Sequence, residues 1–122
     1  MKRVLDVGQC DPDHGQIRRF LDKRFEVEVM RTHGPEDTLE ALRGGQFDLV
    51  LINRKLDRDY TDGIEILRSI KSDPNLAAVP VMLVTNYPDH QDQAEAAGAA
   101  RGFGKLEFDK PETTERLAKF LE

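Results

Sequence analysis

The segment Phe47–Ile52 constrains this chain more than any other feature. Phe47, Leu49, Val50, Leu51 and Ile52 form an apolar run broken only by Asp48. A strand that is apolar on both alternating faces has to be covered on both, which places it centrally in a parallel sheet. Shorter runs repeat the theme at Arg3–Val7, Val81–Val84 and Gly102–Lys105. Val27 and Val29 alternate with Glu26 and Glu28 instead, the pattern of a half-exposed edge strand.

Amphipathic stretches lie between these runs. One follows Asp11-Pro12 and carries Ile17, Phe20 and Leu21 on one stripe. A second opens at Pro35, turns Leu39 and Leu42 inward and stops at Gly44-Gly45. A third carries Ile64, Leu67 and Ile70 and ends before Ser72-Asp73-Pro74. Asp89–Ala97 offers only alanines such as Ala94 and Ala97 to a core, so its packing is expected to be loose. The last opens at Pro111, with Leu117, Phe120 and Leu121 inward. Strand and helix signals therefore alternate five times, the pattern of a doubly wound α/β fold, and residues 1–122 read as a single domain without a linker.

Apolar residues make up 39% and charged residues 34% of the chain, a balance that excludes disordered and fibrous classes. Runs such as Leu49–Ile52 and Val79–Val84 fall far short of the roughly 20 residues that span a bilayer, so no membrane association is expected. At the start, Asp6 interrupts Met1–Leu5 before a secretory apolar core can build. Cys10 is the one cysteine, which excludes an internal disulfide and suits a reducing compartment; the expected location is cytoplasmic. A net charge of −5 argues against direct contact with nucleic acid.

In a doubly wound sheet, ligands collect outside the carboxyl ends of the strands. The positions of interest are then Gly8 to Asp11, Asn53, Thr85 and Lys105. None of them belongs to a GxGxxG, GxxxxGK[ST] or GxSxG pattern, so neither nucleotide binding nor hydrolase chemistry is indicated. The chain is not expected to be an enzyme.

At these strand ends the sequence resembles the receiver domain of two-component response regulators, over essentially its whole length. Phe47–Asn53 resembles the third strand, which in that family ends in the phospho-accepting aspartate. Asp62-Gly63 followed by Ile64–Leu67 resembles the segment after it. Val79–Thr85 resembles the fourth strand with its terminal hydroxyl residue. Gly98-Ala99, with Lys105 seven residues beyond Gly98, resembles the approach to the pocket lysine. The resemblance implies a (βα)5 flavodoxin-like three-layer sandwich with a five-stranded parallel sheet in the order 2-1-3-4-5. It also implies a role in phosphorelay signal transduction.

The departures from the family gather at the reactive centre. Asn53 stands at the acceptor position, and a neutral amide oxygen is a much poorer nucleophile than a carboxylate. Gly8 and Gln9 stand where the resemblance implies an acidic pair for Mg²⁺, a hard cation that prefers carboxylate oxygens. Asp11, the nearest carboxylate, is a weak candidate alone, so Mg²⁺ binding is expected to be weak or absent. Thr85 and Lys105 are retained, and with no anion to hold, Lys105 is expected to donate to the Asn53 oxygen. Gly102 occupies the place of the family's switch aromatic, with Phe103 one residue later, and Leu106 replaces the proline after the lysine. The loop Arg54–Thr61 is about two residues longer than the resemblance implies and mixes Lys55, Asp57, Arg58 and Asp59, a recognition surface by composition.

These residues point to a pseudo-receiver that acts by protein–protein interaction. The expected partner is a signalling kinase, an output domain or another regulator, engaged through the fourth helix, fifth strand and fifth helix; the expected state is monomer or weak homodimer. An alternative is an active response regulator phosphorylated on another carboxylate, Asp48, Asp57 or Asp11. Another is a redox or ligand sensor using Cys10 and the altered pocket. Asn53 also suits capping of the following turn, and His14 with Asp11 and Asp13 is a metal group to test although it lacks zinc-motif spacing. Asp6 lies inside a predicted central strand, where an unpaired carboxylate is costly; it is expected to be buried and either paired with an arginine or protonated.

Overall fold

The computed structural model describes all 122 residues. Strands and helices alternate as β1 (Lys2–Val7), α1 (Asp11–Arg24), β2 (Val27–Thr32), α2 (Pro35–Gly44), β3 (Leu49–Asn53), α3 (Gly63–Ser72), β4 (Val81–Val84), α4 (Pro88–Ala96), β5 (Ala100–Phe103) and α5 (Pro111–Leu121). The five strands form one parallel sheet in the order β2-β1-β3-β4-β5. This is the flavodoxin-like architecture that the alternating pattern and the resemblance implied.

Two cores flank the sheet, and strand alternation divides the side chains between them. Leu5, Val7, Val50 and Ile52 face α2 and α3, packing on Leu42, Leu67 and Ile70. Val4, Leu49, Leu51 and Phe103 face α1 and α5, packing on Ile17, Leu21 and Leu117. Leu49 to Ile52 are all fully buried, which explains why β3 is apolar at successive positions. Burial of each such side chain contributes roughly 1.5–3 kcal/mol. At the edge, β2 shows the alternation read from Val27 and Glu28, the first buried and the second exposed. No helix is long and apolar enough to cross a membrane.

Local signals set the helix ends. Prolines occupy the first turn of α1, α2, α4 and α5, where no intrahelical N–H bond is lost. Asp62 caps α3 by accepting from the Ile64 amide at 3.1 Å.

Two expectations need correction. The fifth strand is Ala100–Phe103 rather than Gly102–Lys105, and Lys105 lies in the turn beyond it. Met82 pairs with Ala100 while Val84 pairs with Phe103, so β5 carries one extra residue at Arg101–Gly102 and bulges there. In addition, α4 is not held by alanines alone. Its Gln91 is buried along with Ala94 and carries the principal polar anchor of the helix, described below.

Candidate functional site

The carboxyl ends of β1, β3, β4 and β5 bring together Gly8, Asn53, Thr85 and the loop bearing Lys105. Gly8 has φ 75°, and a Cβ there would run into the Leu56 side chain, which the long loop after β3 folds fully inward. Only glycine meets both conditions without strain. The same loop closes over β1, since the Asp57 amide donates to the Gly8 carbonyl at 3.0 Å.

Asn53 is held by three partners that fix its amide orientation. Its Nδ2 donates to the carbonyls of Lys55 at 2.7 Å and Gly8 at 3.2 Å. Its Oδ1 accepts from Lys105 Nζ at 3.3 Å. Two acceptors on one side and a cation on the other allow one arrangement only, with the NH₂ toward the carbonyls. A carboxylate at this position would set an oxygen against two carbonyl lone pairs.

Lys105 has a second, shorter partner that the sequence reading missed. Its Nζ lies 2.7 Å from Asp13 Oδ2, on the first turn of α1. Burial acts to raise the Asp13 carboxyl, but hydrogen bonds from Lys105 and the Cys10 thiol outweigh it and hold the group below the usual carboxylate range. The pocket lysine thus already carries a carboxylate from its own chain.

Thr85 is buried, and its hydroxyl turns to α4 rather than to Lys105, lying 3.3 Å from His90 Nδ1 and accepting from the Tyr87 amide at 3.3 Å. Beside it, Gln91 donates from Nε2 to the carbonyls of Leu83 (3.0 Å) and Thr85 (3.3 Å), and its Oε1 accepts from the Gly102 amide at 2.8 Å. A Cβ on Gly102 would collide with the Leu83 carbonyl, so the β5 bulge and the missing side chain go together. The Phe103 side chain is fully buried in the core on the α1 and α5 side of the sheet, against Phe20 and Phe108. Its contact with Thr85 is a backbone one, the Thr85 amide donating to the Phe103 carbonyl at 3.0 Å.

Asp6 is fully buried and its partner is a histidine, not an arginine: His14 Nδ1 lies 2.6 Å from Asp6 Oδ2. Burial pushes the Asp6 carboxyl up to about 6, while the hydrogen bond and charge of His14, with Arg31 and Lys105 further off, pull it partly back. Gln9 is also fully buried, and both polar atoms of its amide lack a protein partner. Asp11 is exposed and pairs with Arg31 at 2.6 Å, which holds its carboxyl below the usual range. The proposed group of His14, Asp11 and Asp13 is therefore dispersed, each side chain going to a different partner, and no cluster of three His, Cys, Asp or Glu side chains is placed to hold a metal. Cys10 is exposed at the N-cap of α1.

None of the other carboxylates considered as acceptors is bonded to Lys105, whose partners are Asp13 and Asn53. Asp48 accepts from the Arg3 amide at 2.8 Å and precedes β3, at the opposite end of the sheet from Asn53. Asp57 faces His33, 3.7 Å away. Asp11, as noted, is bound to Arg31.

The model of the response regulator receiver domain family matches residues 13–122, so the match begins just after β1 and the Gly8–Asp11 segment. Solved structures agree in fold. The signal receiver domain of a DNA-binding response regulator from Colwellia psychrerythraea 34H is 21% identical, with a TM-score of 0.80 over 98% of this chain and 97% of that one. A putative response regulator from Chloroflexus aurantiacus is 19% identical, with a TM-score of 0.84 over 98% and 96%. The chemotaxis response regulator CheY4 of Vibrio cholerae is 19% identical, with a TM-score of 0.71 over 98% and 94%. With the match covering nearly the whole chain, this protein belongs to the response regulator receiver domain family, a signalling module of two-component systems.

Proposed function

We propose that this receiver domain works without phosphorylation, as a module that binds a protein partner through α4, β5 and α5. The observation that carries the reading is the closure of the pocket on itself. Asn53 spends its amide on the Gly8 and Lys55 carbonyls, and Lys105 is neutralised by Asp13. A phosphoryl group would need an ionised acceptor, a metal to offset its charge and a free lysine. In this reading Asn53 is the degenerate acceptor position, and Gly8 and Gln9 are the degenerate acidic pair. Thr85 and Lys105 are remnants of the phosphate pocket, and Gly102 is the vacant switch position.

The side chains near β1 do not suit Mg²⁺. A hard octahedral cation is held by carboxylates, whereas Gln9 offers a neutral amide, Gly8 offers no side chain, and Asp11 and Asp13 are committed to Arg31 and Lys105. The test is incubation with acetyl phosphate and Mg²⁺ followed by intact mass measurement. The expected spectrum shows the unmodified chain; a stoichiometric, acid-labile phosphoryl adduct would end the proposal.

A further inference from the structure

Between α4, β5 and α5 lies a small polar cavity of about 90 Å³, lined among others by Thr85, Asn86, Gln91, Gly102, Glu107 and Arg116. Its charges are unequally satisfied. Arg101, at one wall, is bridged to Asp92 at 2.6 Å and Glu95 at 3.5 Å. Glu107 accepts from the Gly104 amide through Oε1 and pairs with Lys110 through Oε2 at 3.3 Å. Arg116 is half-buried and has no carboxylate within salt-bridge distance; one of its donors reaches the Gly102 carbonyl at 3.1 Å. A partly desolvated guanidinium is left with unused donors at the wall of a cavity with room for a carboxyl group.

The rim adds apolar surface. Tyr87 (64% exposed) and Leu106 (79% exposed) are two of the few large exposed apolar side chains. Tyr87 sits between the lining residues Asn86 and Pro88, and Leu106 precedes Glu107. The Asn86 side chain ties the two rims together, its Oδ1 accepting from the Leu106 amide at 3.1 Å.

We infer that this cavity is a docking pocket for an acidic side chain of a partner protein, an Asp or Glu carboxylate taken by Arg116 with a neighbouring apolar residue seated on Tyr87 and Leu106. The inference rests on the reading of α4–β5–α5 as the partner face and assigns the chemistry of what binds there. Charge complementarity selects an acid, and the flanking rim selects a peptide over a free small acid, since acetate would leave both apolar side chains uncovered.

The test is selection of a random peptide library on the immobilised protein, followed by affinity and NMR measurements on the selected peptides. Selected sequences are expected to carry Asp or Glu beside an apolar residue and to shift the amide signals of Thr85 and Gly102. The matching Asn or Gln peptides, and the Arg116→Gln protein, should bind at least about tenfold more weakly, because charge-assisted bonds are roughly twice as strong as neutral ones. Leu106→Ser alters only an exposed side chain, so it should weaken binding without moving the unfolding midpoint. Selection of no peptide, equal affinity of acidic and amide peptides, unchanged binding to Arg116→Gln, or displacement by acetate at the peptide's own concentration would each overturn the inference. Its failure is distinguishable from failure of the proposed function. Peptides that bind the α4–β5–α5 face without an acid sink the pocket alone, and a phosphoryl adduct sinks the phosphorylation-independent reading alone.

Discussion

Asp13 Oδ2 lies 2.7 Å from Lys105 Nζ, a contact between the first turn of α1 and the turn after β5 that spans 92 positions of sequence. It gives the pocket an internal counter-charge. Because the Asp13 carboxyl is held below its ordinary range, the contact stabilises the fold above the unfolded carboxylate range and is lost as pH falls through the folded value. Both side chains keep part of their surface in water, so screening limits the contribution to about 1 kcal/mol or less. Asp13→Asn is therefore expected to lower stability slightly at pH 7 and to match the parent chain near pH 2, in urea denaturation at the two pH values.

An acidic residue at position 53 should cost stability and, on the proposed reading, should not bring phosphorylation. In Asn53→Asp, an ionised oxygen replaces the NH₂ that donates to the Gly8 and Lys55 carbonyls. Two lost bonds and a repulsive contact amount to about 1–3 kcal/mol. The loss should shrink at low pH, where a protonated carboxyl again offers a donor. Completing the acidic pair is obstructed as well. Gly8→Asp forces a side chain into a φ 75° position already filled by Leu56, at an additional cost on the order of 1–3 kcal/mol. The expected result is a lower urea midpoint for Asn53→Asp and an unmodified mass after acetyl phosphate treatment.

Gln91 is a buried tie between α4 and the sheet. Its amide joins α4 to the Leu83 and Thr85 carbonyls and to the Gly102 amide exposed by the β5 bulge. Gln91→Leu keeps the volume but leaves these buried groups unpaired, about 1–3 kcal/mol for the first of them. Hydrogen exchange should accelerate at Ala94 to Ala97 more than in β3, because α4 loses its anchor while the central sheet does not. Uniform acceleration across the protein would contradict a local tie.

The sheet was legible because burial on two faces leaves a mark in the chain: Leu49–Ile52 had to be central, and Val27 with Glu28 had to be near an edge. The site was legible only at the ends of those strands. Gln91 was missed because apolar periodicity counts a glutamine as outward, and nothing local reports that a bulge ten to eleven residues later exposes an amide needing a partner. The Asp13 contact with Lys105 was missed because chain separation hides which loops meet. For Asp6, burial followed from its position in a strand, but the partner did not: His14 lies eight residues on, where only the packing angle of α1 decides whether the imidazole faces β1.

Asp6 makes the last prediction, because its burial, only partly offset by His14, works against stability in a defined pH window. The folded Asp6 carboxyl titrates at about 6, above its ordinary value of 3.8, chiefly because it is buried. Below the ordinary value it is protonated in both states and adds no pH dependence. Between about 4 and 6 the folded chain retains a proton that the unfolded chain has released, so this group makes stability fall as pH rises. Above 6 the full cost of ionising a buried carboxyl is reached, about 3 kcal/mol for a shift of this size. In Asp6→Asn the side chain no longer ionises and the imidazole keeps a hydrogen-bonding neighbour. Relative to the parent chain, the variant should therefore gain stability steadily from pH 4 to pH 7 and level off above that. Urea titrations at pH 4, 5, 6, 7 and 8 measure this difference directly. A difference that stays flat across the series would show that Asp6 ionises in the fold as it does in the open chain.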